Sequence, residues 1–466
     1  MSSEIRAANP DESGTGIAVL IIAITYFTID GDTPSQVASY GAYGVAIAIF
    51  ASIICDLQKG LMNLVRIDLV CLGALYGLTF LEFLFPQPAF DIMHSVERTI
   101  IGVQICLLGF LGIYFGRHLY KNNHKSTPAF IKKKLPANTL GVLFVLAVLG
   151  GFLHQLLAVK FNIFTMLDWW LEDRWARPWG RGKFGGLHTL VYELSLLIYI
   201  IPPLAGIIII KRREFHQLTV SFAVIMLLAT LFYGFASGTR TVFSAYMISF
   251  SVACSYYLLR ERKYKKILIL WSIVLPVMFF SITYMLNYRN MGIRNYWIYG
   301  DGDQNSLYEE EEKALFVDLN LNNICILSEV FPGLYPYLGF EIPFQSITKP
   351  VPRALWPGKP EGFSISIEEA CGVAGMTLSC TFMGEAYLSE GELGVFIYGL
   401  LFGWLASYFG RFNSPGASDL GTLVFATVAY AFATSMRSMI FFTTALLPTL
   451  AIIVYAKWQS MKVKNQ

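Results

Sequence analysis

Basic side chains stand at unusual places in this chain. Ser237-Gly238-Thr239-Arg240-Thr241 and Ser435-Met436-Arg437-Ser438 are short polar hairpins with apolar sequence on either side. Each sets an arginine among hydroxyl neighbours at the end of an apolar helix, and a helix N-terminus adds donors and positive potential for an anion. Longer segments carry more cations. One reads Asp168-Trp169-Trp170-Leu171-Glu172-Asp173-Arg174-Trp175-Ala176-Arg177-Pro178-Trp179-Gly180-Arg181-Gly182-Lys183, and another begins Asn287-Tyr288-Arg289-Asn290. A third is Lys349-Pro350-Val351-Pro352-Arg353-Ala354-Leu355-Trp356-Pro357-Gly358-Lys359-Pro360, whose four prolines present Arg353 and Lys359 from a rigid backbone. A guanidinium grips phosphate through two parallel hydrogen bonds, so recognition of phosphate or pyrophosphate is the chemistry open to these residues. The tryptophans have two readings, as faces for sugars or as an interfacial aromatic belt. Arg240 and Arg437 also have a second reading, as side chains snorkelling to lipid headgroups.

Other reactive residue types give weaker patterns. Gly384-Glu385-Ala386-Tyr387-Leu388 leads into an apolar run and puts a carboxylate near the same surface. His188 and Glu193 fall on roughly opposite sides of one helix, so one alone would face a site, and Glu193 reads equally as a satisfied intramembrane carboxylate. Cys55, Cys71, Cys106 and Cys254 lie in apolar runs and read as small apolar side chains. Cys371 and Cys380 are near enough in sequence to pair in an oxidising compartment, leaving Cys325 odd; bridge and free thiols both stay open. The six histidines are scattered without metal spacing, so neither metal nor cofactor is expected. There is no GxxxxGK[ST], HExxH or GxSxG motif.

Membrane helices must position these groups. Of 466 residues 55% are hydrophobic and 14% charged, against about a quarter charged in a soluble domain. That composition excludes an ordinary globular enzyme, and nucleic acid is not an expected partner. Apolar runs of membrane-spanning length lie near 15–31, 36–55, 67–85, 99–116, 139–159, 188–210, 217–236, 241–259, 267–286, 391–410, 420–436 and 438–456, which predicts an all-α polytopic protein of about 12 transmembrane helices. The first run ends in Asp30 and Asp32 without a small-residue cleavage site, so it reads as a retained span rather than a signal peptide.

Lys132 to Lys134, Lys211 to Arg213 and the Arg260 to Lys266 cluster share one side, and short loops on the other side hold only Arg98, Arg240 and Arg437. The positive-inside rule then puts both termini in the cytoplasm and segments 160–187 and 287–390 outside. The chain divides into 1–286 with nine helices, a long extracytoplasmic loop 287–390, and 391–466 with three helices and a tail. Within the long loop, Glu309 to Glu312 reads as a solvated stretch. Apolar positions 317, 321, 324, 327 and 331 predict an amphipathic helix resting on the membrane surface. The off-centre long loop leaves no midpoint symmetry of the kind two-half transporters show.

Taken in order, Ser237-Gly238-Thr239-Arg240-Thr241, Pro352-Arg353-Ala354-Leu355-Trp356-Pro357-Gly358-Lys359-Pro360 and Gly384-Glu385-Ala386-Tyr387 ahead of Gly391 and Gly394 resemble the oligosaccharide repeat-unit polymerases of Wzy type, which build O-antigen and exopolysaccharide. Ser389-Glu390 departs from the Asn-aromatic pair of that pattern. The resemblance implies a GT-C-like glycosyltransferase of the bacterial cytoplasmic membrane. It would move a growing glycan from polyprenyl pyrophosphate onto a lipid-linked repeat unit outside, with membrane lipid, a chain-length regulator and a flippase as partners. Arg240, Arg353, Arg437 and Arg289 are then candidates for the leaving pyrophosphate, where fixed charge contributes most. Lys359, Arg174, Arg177, Trp356 and His188 are candidates for substrate binding. Glu385 is the first candidate for the base, with Glu368, Glu369 and His188 behind it. An O-antigen ligase, whose outer-loop histidine Gly185-Gly186-Leu187-His188 faintly resembles, and a lipid-linked oligosaccharide flippase are the alternatives.

Overall fold

Apolar runs become helices where a polar residue caps their first turn. In the computed structural model, which describes residues 8–121, 132, 134–179, 188–289, 291–300, 320–352, 355–360, 362–372, 379–412 and 418–464, Asp11 accepts from Gly14 N–H at 2.8 Å and opens α1 (Glu12–Thr28). Thr33 caps α2 (Pro34–Gln58), which has proline at its first position. α3 (Ile67–Thr79) follows, and Ser95 caps α4 (Val96–Gly116). Then come α5 (Ala137–Ala158), α6 (Val191–Ile210), α7 (Gln217–Ala236), α8 (Arg240–Arg260) and α9 (Tyr264–Tyr288). α10 (Asn320–Val330) and α11 (Glu341–Thr348) precede α12 (Thr381–Gly410), α13 (Asp419–Arg437) and α14 (Leu447–Lys464). Among the described residues every regular element is helical. Among the described residues ten helices are long and apolar enough to cross a membrane, and the shorter apolar α1 and α3 lie where the first and third spans were expected. The protein is an all-helical, multi-pass membrane protein.

Backbone contact between α4 and α12 joins the two ends of the chain. Gly112 and Gly116 face Gly399 and Gly403, a pair of small-residue stripes that lets helices approach closely. A Cβ at Gly116 would lie 2.1 Å from the carbonyl oxygen of Leu400, and one at Gly403 would lie 2.4 Å from that of Ile113. α1 to α4 are also clamped beside this seam, where Arg117 directly follows Gly116. Arg66 bridges Asp56 and Asp68 at 2.8 Å each, and the fully buried Arg117 donates to Thr15 at 3.0 Å and Ser52 at 2.9 Å. Charges this deep are tolerated because each carboxylate meets a guanidinium.

The segment 287–390 is more structured than a loop. α10 has the expected periodicity, with Leu321, Ile324 and Leu327 wholly buried along with Phe331, whereas position 317 lies outside the described residues. Its apolar face does not rest on the membrane surface, however. It packs on α4, where a Cβ at Gly102 would come within 2.5 Å of Cys325 Sγ. α12 starts at Thr381 rather than 391, and Glu390 and Gly391 break its helical geometry, Gly391 with φ 63°. That conformation suits glycine, and a Cβ there would meet Tyr337 Oη at 2.5 Å. The expected boundary at 390 is therefore a kink, and residues 381–389 form a buried helix. Glu309 to Glu312 lie outside the described residues.

Cys371 and Cys380 are free thiols, which settles the pairing left open above. Cys380 packs its Sγ back over Gly384, where a Cβ would stand 2.8 Å away. Burial, with the Glu368 carboxylate nearby, pushes the Cys371 thiol up to about 11.

Two outcomes follow from this packing. Gly116→Val or Gly403→Val should sharply lower the thermal midpoint of detergent-purified protein, while Gly77→Ala, whose Cβ would meet nothing within 4 Å, should leave it level or raise it; equal effects would refute the seam. Non-reducing mass mapping should recover Cys371 and Cys380 unlinked, with Cys371 alkylating slowly at pH 8; a linked peptide would contradict the free-thiol arrangement.

Candidate functional site

Several helix ends converge around one cavity of about 530 Å³. His154 near the end of α5, Tyr192 and Glu193 at the start of α6, and Tyr233 near the end of α7 form part of its lining. Tyr246 of α8, Tyr430 of α13 and the turn from Phe441 to Ala445 close it. In the orientation expected from loop charge, all of these are outer ends. The wall is aromatic: Tyr199 stacks on Tyr430 at 4.3 Å and leans on Tyr246 at 5.1 Å.

The two arginine hairpins meet here. Arg437, closing α13, donates to Thr241 Oγ1 in the first turn of α8. Arg240 therefore lies between that contact and Thr239, which lines the cavity. Gly238, at φ 60°, allows the backbone of Arg289 to close on the hairpin, with only 3.2 Å from a would-be Cβ to Arg289 Cα. Tyr288 fixes the same approach by donating to the Phe235 carbonyl at 2.6 Å.

The segment 168–179 supplies the remaining wall. Arg294, on a short helix Gly292–Tyr299, donates to Glu172 at 2.6 Å and to Asp168. It engages two acidic side chains of this segment, and sequence reasoning missed it because only its spatial neighbours give it a role. Arg174 is left half-buried over Trp175 at 4.5 Å, and both line the cavity. Burial first, then the positive charge of Arg289, holds the Arg174 guanidinium below its ordinary value; Arg437 and Arg177 add to the effect against Asp173. Three of the expected arginines thus act electrostatically on a fourth.

Several expected roles need correction. Arg177 lines the cavity but is 3% exposed and donates to the carbonyls of Trp170 and Ala236 at 2.8 Å each, so it also caps helix ends and positions the segment. Trp170 and Trp179 are buried in protein rather than set in an interfacial belt, and Trp170 donates to Gln155 at 2.8 Å. Lys359 spends its ammonium on the Lys349 and Val351 carbonyls at 3.0 Å each, tying its own loop together. Trp356 stands edge-on to Phe344 at 6.4 Å, away from the cavity lining.

Glu385 is not a surface carboxylate. It sits in the buried first part of α12 and accepts from Met439 N–H at 2.6 Å, Ile440 N–H at 3.3 Å and the Ser438 hydroxyl. These contacts anchor the turn directly after Arg437. Glu368 and Glu369 occupy a short helix Ile367–Ala370 and do not line the cavity. Arg353 lies outside the described residues, and so does the side chain of His188, whose backbone opens a helix.

The cavity-forming tyrosines escaped sequence reasoning because aromatic residues inside apolar runs read as span filling. Much of this architecture falls within a stretch matched by a family model. Residues 182–430 match the model described as domain of unknown function DUF8712. The chain belongs to that family. The DUF8712 stretch spans α6 to α12 and much of α13, and leaves α1 to α4 outside it. No curated protein sequence and no solved structure matches the chain.

Replacing Glu385 with Ala strands the buried Met439 N–H, at a cost of about 1–3 kcal/mol. The thermal midpoint of purified protein should fall accordingly, and an unchanged melt would contradict the anchoring role.

Proposed function

We propose that this protein is a membrane glycosyltransferase that polymerises polyprenyl-pyrophosphate-linked oligosaccharide repeat units on the outer face of the bacterial cytoplasmic membrane. In this reading the chain crosses the membrane twelve times with both termini inside, and its architecture is GT-C-like. The observation that carries it is the gathering of Arg174, Arg289 and Arg437, with the Arg240 hairpin, beside one aromatic-lined cavity at one end of the bundle. Glycosyl transfer from a lipid pyrophosphate breaks the bond from anomeric carbon to phosphate oxygen. Negative charge then grows on the pyrophosphate, and guanidinium groups already in place stabilise it without reorganising. Arg437 gives one nitrogen to Thr241, and a guanidinium has five N–H donors to distribute. Arg177 serves indirectly by fixing the segment that carries Arg174.

A ligase would share this donor, and a flippase would share the lipid, so the glycan profile of a deletion strain separates them. Single repeats on lipid carrier support polymerisation. Polymer that never reaches its acceptor supports ligation, and repeats trapped inside the cell support flipping. At the level of residues, Arg174→Ala and Arg437→Ala should each cut elongation of lipid-linked repeats by roughly ten- to a hundredfold, from about 1.5–3 kcal/mol per charge-assisted contact. Lys should rescue poorly because it cannot form the two-pronged contact. Wild-type elongation by both Ala variants in inserted, folded protein would refute the assignment.

A further inference from the structure

We infer that the tyrosine-lined cavity holds the acceptor sugar and that Glu193 takes the proton of its attacking hydroxyl. This rests on the glycosyl-transfer reading above. Glu193 is the single carboxylate among the described residues that line the cavity, and it shares that lining with Arg174. Polar atoms there also point to a hydroxyl-rich occupant. His154 Nδ1, Arg174 Nε and Thr444 Oγ1 are buried without a hydrogen-bond partner in the protein, although buried polar groups are nearly always paired. His154 is only 5% exposed, and its ring meets Tyr192 edge-on at 5.6 Å, next to Glu193 in sequence. The stacked Tyr199 and Tyr430 offer ring faces for a pyranose, and the volume of about 530 Å³ falls within the roughly 300–1,000 Å³ of small-molecule sites.

Glu385 cannot serve this cavity while its oxygens hold Ser438, Met439 and Ile440. Glu193, in the first turn of the α6 span, stands at the same end of the bundle as the arginines. In the step assigned here, the acceptor hydroxyl oxygen forms a bond to the donor anomeric carbon as its proton passes to the Glu193 carboxylate. The bond from that carbon to pyrophosphate breaks, and its electron pair leaves on the pyrophosphate oxygen toward Arg174.

The test uses full-length protein in proteoliposomes with the native lipid-linked repeat unit that accumulates in cells lacking it. Glu193→Gln should lose about a hundredfold or more of kcat, the scale of general-base catalysis, with KM within about twofold of wild type. Glu193→Asp should recover part of the loss, and added formate should restore part of the activity of Glu193→Ala. Wild-type kcat in Glu193→Gln overturns the inference. So does an early-melting Gln variant with no recovery from Asp or formate, which marks a structural carboxylate. Wild-type protein that elongates nothing overturns the glycosyl-transfer reading itself.

Discussion

The Glu385 carboxylate grips the backbone of Met439 and Ile440 and the hydroxyl of Ser438, and the geometry around the cavity depends on that grip. Arg437 immediately precedes the anchored residues and reaches Thr241 at the head of α8. Phe441 and Thr444 follow them and line the cavity. One buried side chain on α12 thus fixes both an arginine and a wall. α12 is in turn held against α4 by facing glycines, so the register of that seam passes through Glu385 to the arginine hairpins.

Polar groups are divided between the two ends of the bundle in opposite ways. At the end expected to face the cytoplasm, Arg66 and Arg117 are matched by Asp56, Asp68, Thr15 and Ser52, which closes the local charge balance and locks α1 to α4. At the other end Asp168 and Glu172 are engaged by Arg294, and Arg174 is left among like charges, with Asp173 the nearby counter-charge. Gathering guanidiniums in a half-buried site is unfavourable on its own, and an arriving pyrophosphate would relieve it. The first arrangement stabilises a fold, and in the function proposed here the second prepares a site for an anion.

The spans were legible because a bilayer demands long apolar windows; the run expected at 217–236 is α7 to the residue. The start of α12 was not legible, since residues 381–389 are shielded by protein and need no continuous apolar run. α10 showed the right periodicity but could not reveal whether lipid or α4 met its apolar face. Arg240 and Arg437 stood out by type and position, yet their convergence depends on α8 packing beside α13. Residue type does not disclose whether a donor faces a ligand or a carbonyl of its own chain: Lys359 binds the carbonyls of its own loop, and Arg177 binds two carbonyls while lining the cavity. The glycine spacing on α4 and α12 was present in the sequence, but only the fold shows that the two stripes face each other.

The most direct measurement is a cryo-electron microscopy map of the protein in a lipid nanodisc with the lipid-linked repeat unit proposed as its substrate. Pyrophosphate density within hydrogen-bonding distance of Arg174 and Arg437, with the linked sugar entering the cavity toward Tyr199 and Tyr430, is the predicted result. Pyrophosphate bound away from these arginines, with only acyl chains in the tyrosine-lined cavity, would contradict it.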